Sequence, residues 1–220
     1  MRSILGLTLP PLLAAVVVWA ADETPNRAVV EFRELGGQVT LDDNQAVITV
    51  DMHRAPIGDD DLGPLEGLST LRTLDLSYTR VTDAGLKRLQ GLKGLKRLAL
   101  HGTKVTDEGL KEIAGLTDLE NLFLAETAVT DRGLEHLEGL TRLESLELDH
   151  TKVTGAGLAS LAGLSRLRRL VLNHTQVGDD GLEHLEGLSK LQDVDLFRTK
   201  VTKEGAERLQ KALPATRISR

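Results

Sequence analysis

The sequence predicts an α/β solenoid, with a curved parallel sheet on its concave side and short helices on its convex side. Three observations predict it. From Leu71 one unit of 24 residues, LRTLDLSYTRVTDAGLKRLQGLKG, recurs without a gap, its copies beginning at Leu95, Leu119, Leu143, Leu167 and Leu191. Every copy holds two hydrophobic periods. LxL (Leu74, Leu76) alternates as a short strand does, and GLxxL (Leu86, Leu89) has the spacing of one helical face. Turn residues separate the two at the same place each time. One unit cannot bury both apolar faces, whereas stacked strands and stacked helices close a continuous core.

Residues 1–20 read as a targeting segment. Arg2 gives a positive start, Ile4 to Val18 is apolar, and Val18-Trp19-Ala20 offers a small-x-small site for cleavage after Ala20. An uncleaved anchor is the alternative, because the apolar run approaches spanning length; Pro10 and Pro11 interrupt it, and no charged stop-transfer flank follows.

Residues 21–46 are predicted to cap the array. Thr24-Pro25 suits an N-cap followed by the first helical position. Ala28, Val29, Phe32 and Leu35 line one face until Gly36-Gly37 stops the helix. Val39 and Leu41 then alternate with Gln38 and Thr40, and Asp42 to Gln45 turn the chain into the first repeat strand. This hairpin covers a strand edge that would otherwise stand open.

Residues 47–213 make seven units, the first a degenerate copy from Val47 to Thr70. Thr82, Thr106 and Thr130 sit at expected N-caps, and Asp83, Asp107 and Asp131 follow in the first turn, where a carboxylate suits the helix dipole. Gly91, Gly115, Gly139, Gly163 and Gly187 are expected as left-handed closing residues. In the last unit Lys203, Ala206 and Lys211 break the frame, so its helix should run to Leu213 before Pro214 and leave 214–220 as a tail.

The frame LxxLxLxxT at this period resembles the leucine-rich repeat, and VTDxGLxxLxGL is similar to the version abundant in planctomycete-type bacterial proteins. The resemblance spans Val47 to about Leu213. It implies recognition of a partner on the concave face and no chemistry of the chain's own. With a leader and no cysteine it also implies a bacterial periplasm or cell surface. One departure stands out: the usual Asn is replaced by Thr79, Thr103, Thr127, Thr151, Thr175 and Thr199. These form an expected threonine ladder whose hydroxyls satisfy turn backbone. Similar ITDxGL units occur in F-box substrate receptors of ubiquitin ligases, which makes a receptor fragment an alternative.

Composition narrows the function. A net charge of −6 and a pI near 5.6 speak against nucleic acid, which calls for a basic stripe. Zero cysteines remove disulfides, thiolate metal sites and a cysteine nucleophile together. The sequence shows no phosphate-cradling glycine loop and no nucleophile with a base, so no catalytic residue and no cofactor are expected. His150 and His174, with Asp149, are only part of a zinc set, and no metal site is assigned; a metal-dependent enzyme is the remote alternative.

The expected partner-binding residues are those around the strand leucines: Asp75, Tyr78, Arg97, His101, Phe123, Glu126, Glu147, Asp149, His150, Arg169, His174, Asp195, Phe197 and Arg198. Tyr78, Phe123 and Phe197 all fall on this face while leucine fills the core, so they are expected as exposed anchors. Seven strands about 4.8 Å apart give a face of roughly 450 Å², suited to a peptide, loop or small domain. The reading is therefore a secreted, monomeric protein- or peptide-binding module with no membrane insertion after leader cleavage. A passive cell-envelope spacer is the alternative.

Overall fold

The computed structural model describes residues 24–220. The expected leader at 1–20 lies outside the described residues. Helix α1 (Thr24–Glu34) buries Ala28, Val29 and Phe32 against the first unit. It closes on Gly36 at φ +88°, where the Gly37 amide reaches back to the Phe32 carbonyl at 2.8 Å. Strand β1 (Gln38–Leu41) pairs antiparallel with β2 (Val47–Asp51), forming the expected hairpin.

From β2 onward each unit adds one parallel strand: β3 (Thr73–Asp75), β4 (Arg97–Ala99), β5 (Asn121–Phe123), β6 (Ser145–Glu147), β7 (Arg169–Val171) and β8 (Asp193–Asp195). Their register repeats the sequence period, setting Leu74 beside Leu98, Leu122, Leu146 and Leu170. These leucines are fully buried, as are Leu86, Leu110 and Leu134 on the helical side, so one core runs along the stack. The terminal segment does not trail off as a tail. After α5 (Lys203–Ala212), Arg217–Ser219 forms β9, parallel to β8 with Ile218 opposite Val194. Those two residues are one repeat period apart, so the eighth parallel strand obeys the array after its helix has lost the pattern.

On the convex side α2 (Asp83–Leu86), α3 (Asp107–Ile113) and α4 (Asp131–Glu135) are short helices. Units one, five and six use 3-10 turns at Asp59–Leu65, Ala156–Leu161 and Asp179–Leu185. Each of these departs from Thr-Asp at the helix start: the first has Gly58 in place of Thr and also holds Pro64 within the turn, the fifth has Gly155 in place of Asp, and the sixth has Gly178 in place of Thr. Thr82, Thr106 and Thr130 are N-caps as expected, accepting from the amides of Ala84, Glu108 and Arg132.

The aspartates do more than face a dipole. Asp107 accepts the amide of Thr130 at 2.7 Å with one oxygen and its hydroxyl at 2.6 Å with the other, joining one unit to the next. Asp59 holds Thr82, Asp83 holds Thr106, Asp131 holds Thr154 and Asp179 holds Thr202 in the same way. The following glycine makes room for this link: a Cβ on Gly133 would lie 2.5 Å from the Asp107 carboxylate. The T-D-x-G motif is thus one rung, shared between neighbours. A single rung is missing between Asp59 and Thr202, and there both partners are gone, Gly155 and Gly178, while the backbones of Gly155 and Gly181 close up instead.

The left-handed closure expected at Gly91, Gly115, Gly139, Gly163 and Gly187 does not occur; of that row only Gly67 takes it, at φ +87°. The other units end in tight right-handed turns, in which the Leu92 amide bonds the Leu89 carbonyl at 2.9 Å and the chain needs no positive φ. The threonine ladder is present: the hydroxyls of Thr79, Thr103, Thr127, Thr151, Thr175 and Thr199 each donate to the carbonyl three residues earlier, at 2.6–2.7 Å. No helix among the described residues is long and apolar enough to cross a membrane.

Candidate functional site

Two side chains per strand flank the buried leucine and leave the sheet on its concave side. In register, one row reads Thr73, Arg97, Asn121, Ser145, Arg169, Asp193 and the other Asp75, Ala99, Phe123, Glu147, Val171, Asp195. Of the first row only Arg97 and Arg169 were expected at the site; Thr73 and Asn121, which flank Arg97, and Ser145, which lies between Asn121 and Arg169, were not. The strand period of two was the available signal.

Beyond each strand the chain turns at a residue in the left-handed region. Arg54, Tyr78, Gly102, Glu126, His150, His174 and Arg198 have φ between +55° and +61°. Six of seven carry a side chain where glycine would be less strained, a cost of order 1 kcal/mol each.

The expected residues gather into three groups. In the first, the Tyr78 ring lies over Gly102, where a Cβ would come within 2.5 Å of it, and its hydroxyl donates to Glu126 at 3.3 Å. Arg54 sits 5.5 Å from the ring centre and His53 meets its edge at 5.5 Å. Partial loss of water, then the Glu126 charge, pushes the Tyr78 phenol above its ordinary value. Asp75 stays with its own turn, accepting from the Ser77 amide at 2.8 Å.

The central group corrects one expectation. Phe123 is on the concave side but only 6 % exposed, against 41 % for Tyr78 and 52 % for Phe197. Arg97 from the preceding unit lies 4.2 Å over its ring and His101 stands 5.5 Å away, so the ring is covered by longer neighbours. Next to it Glu147 lies 3.8 Å from His101 and 3.7 Å from Arg169, which continues to Asp195 at 3.6 Å. Burial outweighs His101 and Arg169 and pushes the Glu147 carboxyl upward.

In the third group His150 and His174 stack face to face, with ring centres 4.0 Å apart and planes 15° apart, and His174 meets Phe197 edge-on at 5.7 Å. Stacked rings aim their nitrogens along parallel planes, so they do not converge on one ion. Among the described residues no group of three His, Cys, Asp or Glu side chains is placed to hold a metal. Asn173 links the group, donating to Asp149 at 2.9 Å and accepting the Phe197 amide at 2.7 Å, while Arg198 lies 5.3 Å from the Phe197 ring centre.

Partial loss of water, then the His150 and Arg198 charges, holds His174 below the ordinary histidine range. A lowered folded value means the unfolded chain binds more protons, so acidification through that range costs stability. His150→Ala is expected to raise the His174 pKa, read from its ring-proton titration by NMR. An unchanged midpoint would show that the stack has no electrostatic effect.

The leucine-rich repeat family model matches residues 67–89, 95–114 and 165–185. Among solved structures the fold is similar to internalin C2 from Listeria monocytogenes at 24% identity, covering 89% of this chain and 80% of that one with a TM-score of 0.65. It is similar also to internalin F of the same organism at 23% identity, covering 78% of this chain and 52% of that one with a TM-score of 0.56. No curated protein matches the chain. The array is therefore a leucine-rich-repeat solenoid.

Proposed function

We propose that this leucine-rich-repeat protein is a secreted, non-catalytic binding module that captures a protein or peptide partner on its concave sheet. The observation that carries this is the pair of exposed rings, Tyr78 and Phe197, one near each end of the sheet. Each has an arginine beside its face, and both arginines, like Tyr78, stand on left-handed backbone. Exposed aromatic and arginine side chains are the usual anchors of an interface. Strained backbone kept at six of seven units supports use of the side chains there. Secretion rests on the leader read at residues 1–20.

A crosslinking pull-down from envelope extract tests the reading, comparing residues 21–220 with a Tyr78→Ala/Phe197→Ala variant of matched melting temperature. Capture is expected to fall at least about tenfold, the loss of a single modest anchor. Equal capture would move the site off this face. A passive envelope spacer is the second reading, supported by the identity of the convex segments EHLEGL at 135–140 and 183–188; it predicts that neither chain captures anything.

A further inference from the structure

We propose that the concave face takes an anionic partner segment, whose side-chain carboxylates seat on Arg54, Arg97 and Arg198. This rests on the concave-face reading above and names the chemistry of the partner.

Net charge argues the other way, since the chain is acidic overall, at −6. Yet the carboxylates of this face are already engaged. Glu147 and Asp195 share Arg169, and Asp193 pairs with Arg217 at 2.6 Å. Glu126 accepts from Tyr78 and Asp149 from Asn173. Asp51 and Asp75 each hold the amide two residues on, at 2.9 and 2.8 Å. Asp51, Asp75, Glu126 and Asp149 keep their charge but are held by these hydrogen bonds, so the charged groups of this face left without either kind of partner are cationic. Arg54, Arg97 and Arg198 have no carboxylate within ion-pairing distance among the described residues, and none of them donates a side-chain hydrogen bond. Each sits instead beside a ring, Tyr78, Phe123 or Phe197.

A guanidinium laid on a ring keeps its edge donors free and its plane fixed, which suits the two oxygens of a carboxylate. Arg97 is the best built of the three. It is nearest its ring, at 4.2 Å, and its strand neighbours in register are Thr73 and Asn121. Both are half-buried, and neither side chain has a hydrogen-bond partner among the described residues. A carboxylate on Arg97 would therefore meet a hydroxyl and an amide on either side, about 4.8 Å away across the sheet. Glu147 lies close enough to Arg97 for each to feel the other's charge, which favours a singly charged carboxylate over a doubly charged phosphate.

The test is an NMR titration of residues 21–220, following the arginine Nε–H signals. The probe is a peptide of about nine residues alternating Glu and Ser, long enough to span the sheet. Its counterparts carry Gln or Lys in place of Glu. The Glu peptide is expected to move the Arg97 signal to saturation while the Gln peptide leaves it in place. Arg97→Lys, which keeps the charge and loses the fork, should weaken binding about tenfold at unchanged melting temperature. Three results overturn the proposal: Glu and Gln peptides binding alike, the Lys peptide binding better, or no movement at millimolar peptide. The pull-down with the Tyr78 and Phe197 variant separates the two claims. Capture lost there, with the Glu peptide ignored, would keep the binding face and reject an anionic partner.

Discussion

Asp107→Ala is expected to destabilise the array by about 2–3 kcal/mol, with a fall in melting temperature of roughly 5–10 °C. The side chain is half-buried between two units and accepts both the amide and the hydroxyl of Thr130. Its removal strands a part-buried amide and leaves a gap beside Gly133, whose missing Cβ had made way for the carboxylate. In a repeat protein stability is close to a sum of units and their interfaces, so the cost falls on one interface and is not diluted along the stack. Thr130→Ala should cost less, and the double variant little more than Asp107→Ala alone, giving a coupling above about 1 kcal/mol in a thermal-melt cycle. Additive losses would mean the rung contributes no joint energy. Acid offers a second check. The Thr202 hydroxyl and amide hold the Asp179 carboxyl below its ordinary value, so this rung stabilises above the unfolded carboxylate pKa and is lost as pH falls through the folded one.

The period of 24 residues makes most of the fold legible, because residues one period apart are register partners in neighbouring strands. The rung was harder to read. Asp107 and Thr130 lie 23 residues apart, and their local surroundings explain each alone, as a first-turn acid and an N-cap. The chain did hold the clue: Gly155 and Gly178 replace Asp and Thr in adjacent units, so the two members of one rung vanish together. Strand β9 was missed for a related reason. Pro214 and the broken frame of the last unit signal a stop, while Ile218, one period beyond Val194, carries the register on. On the concave face the row of residues was legible from strand alternation, but which rings were open to solvent was not. That depended on how long side chains of neighbouring units lie across one another.

Phe123 shows the consequence. Phe123→Ala is expected to cost about 3 kcal/mol of stability, at the low end for a core phenylalanine because its site borders the surface. Alternation turns this ring outward, as it does Phe197 at the next position of a later unit. The difference is cover. Arg97 and His101 both come from the unit before and close over Phe123, whereas Phe197 has Arg198 at its face and His174 at its edge and stays half open. Truncation would therefore open a cavity in the sheet surface, and Arg97 would lose the ring that holds its plane. Phe123→Leu separates these effects. It refills most of the volume, so stability should fall by less than about 1.5 kcal/mol, but it offers no ring face to the guanidinium. Thermal melts of both variants check the first statement, and the Arg97 Nε–H signal checks the second. A melting temperature unchanged by Phe123→Ala would return this ring to the exposed anchors and take the lid role away from Arg97.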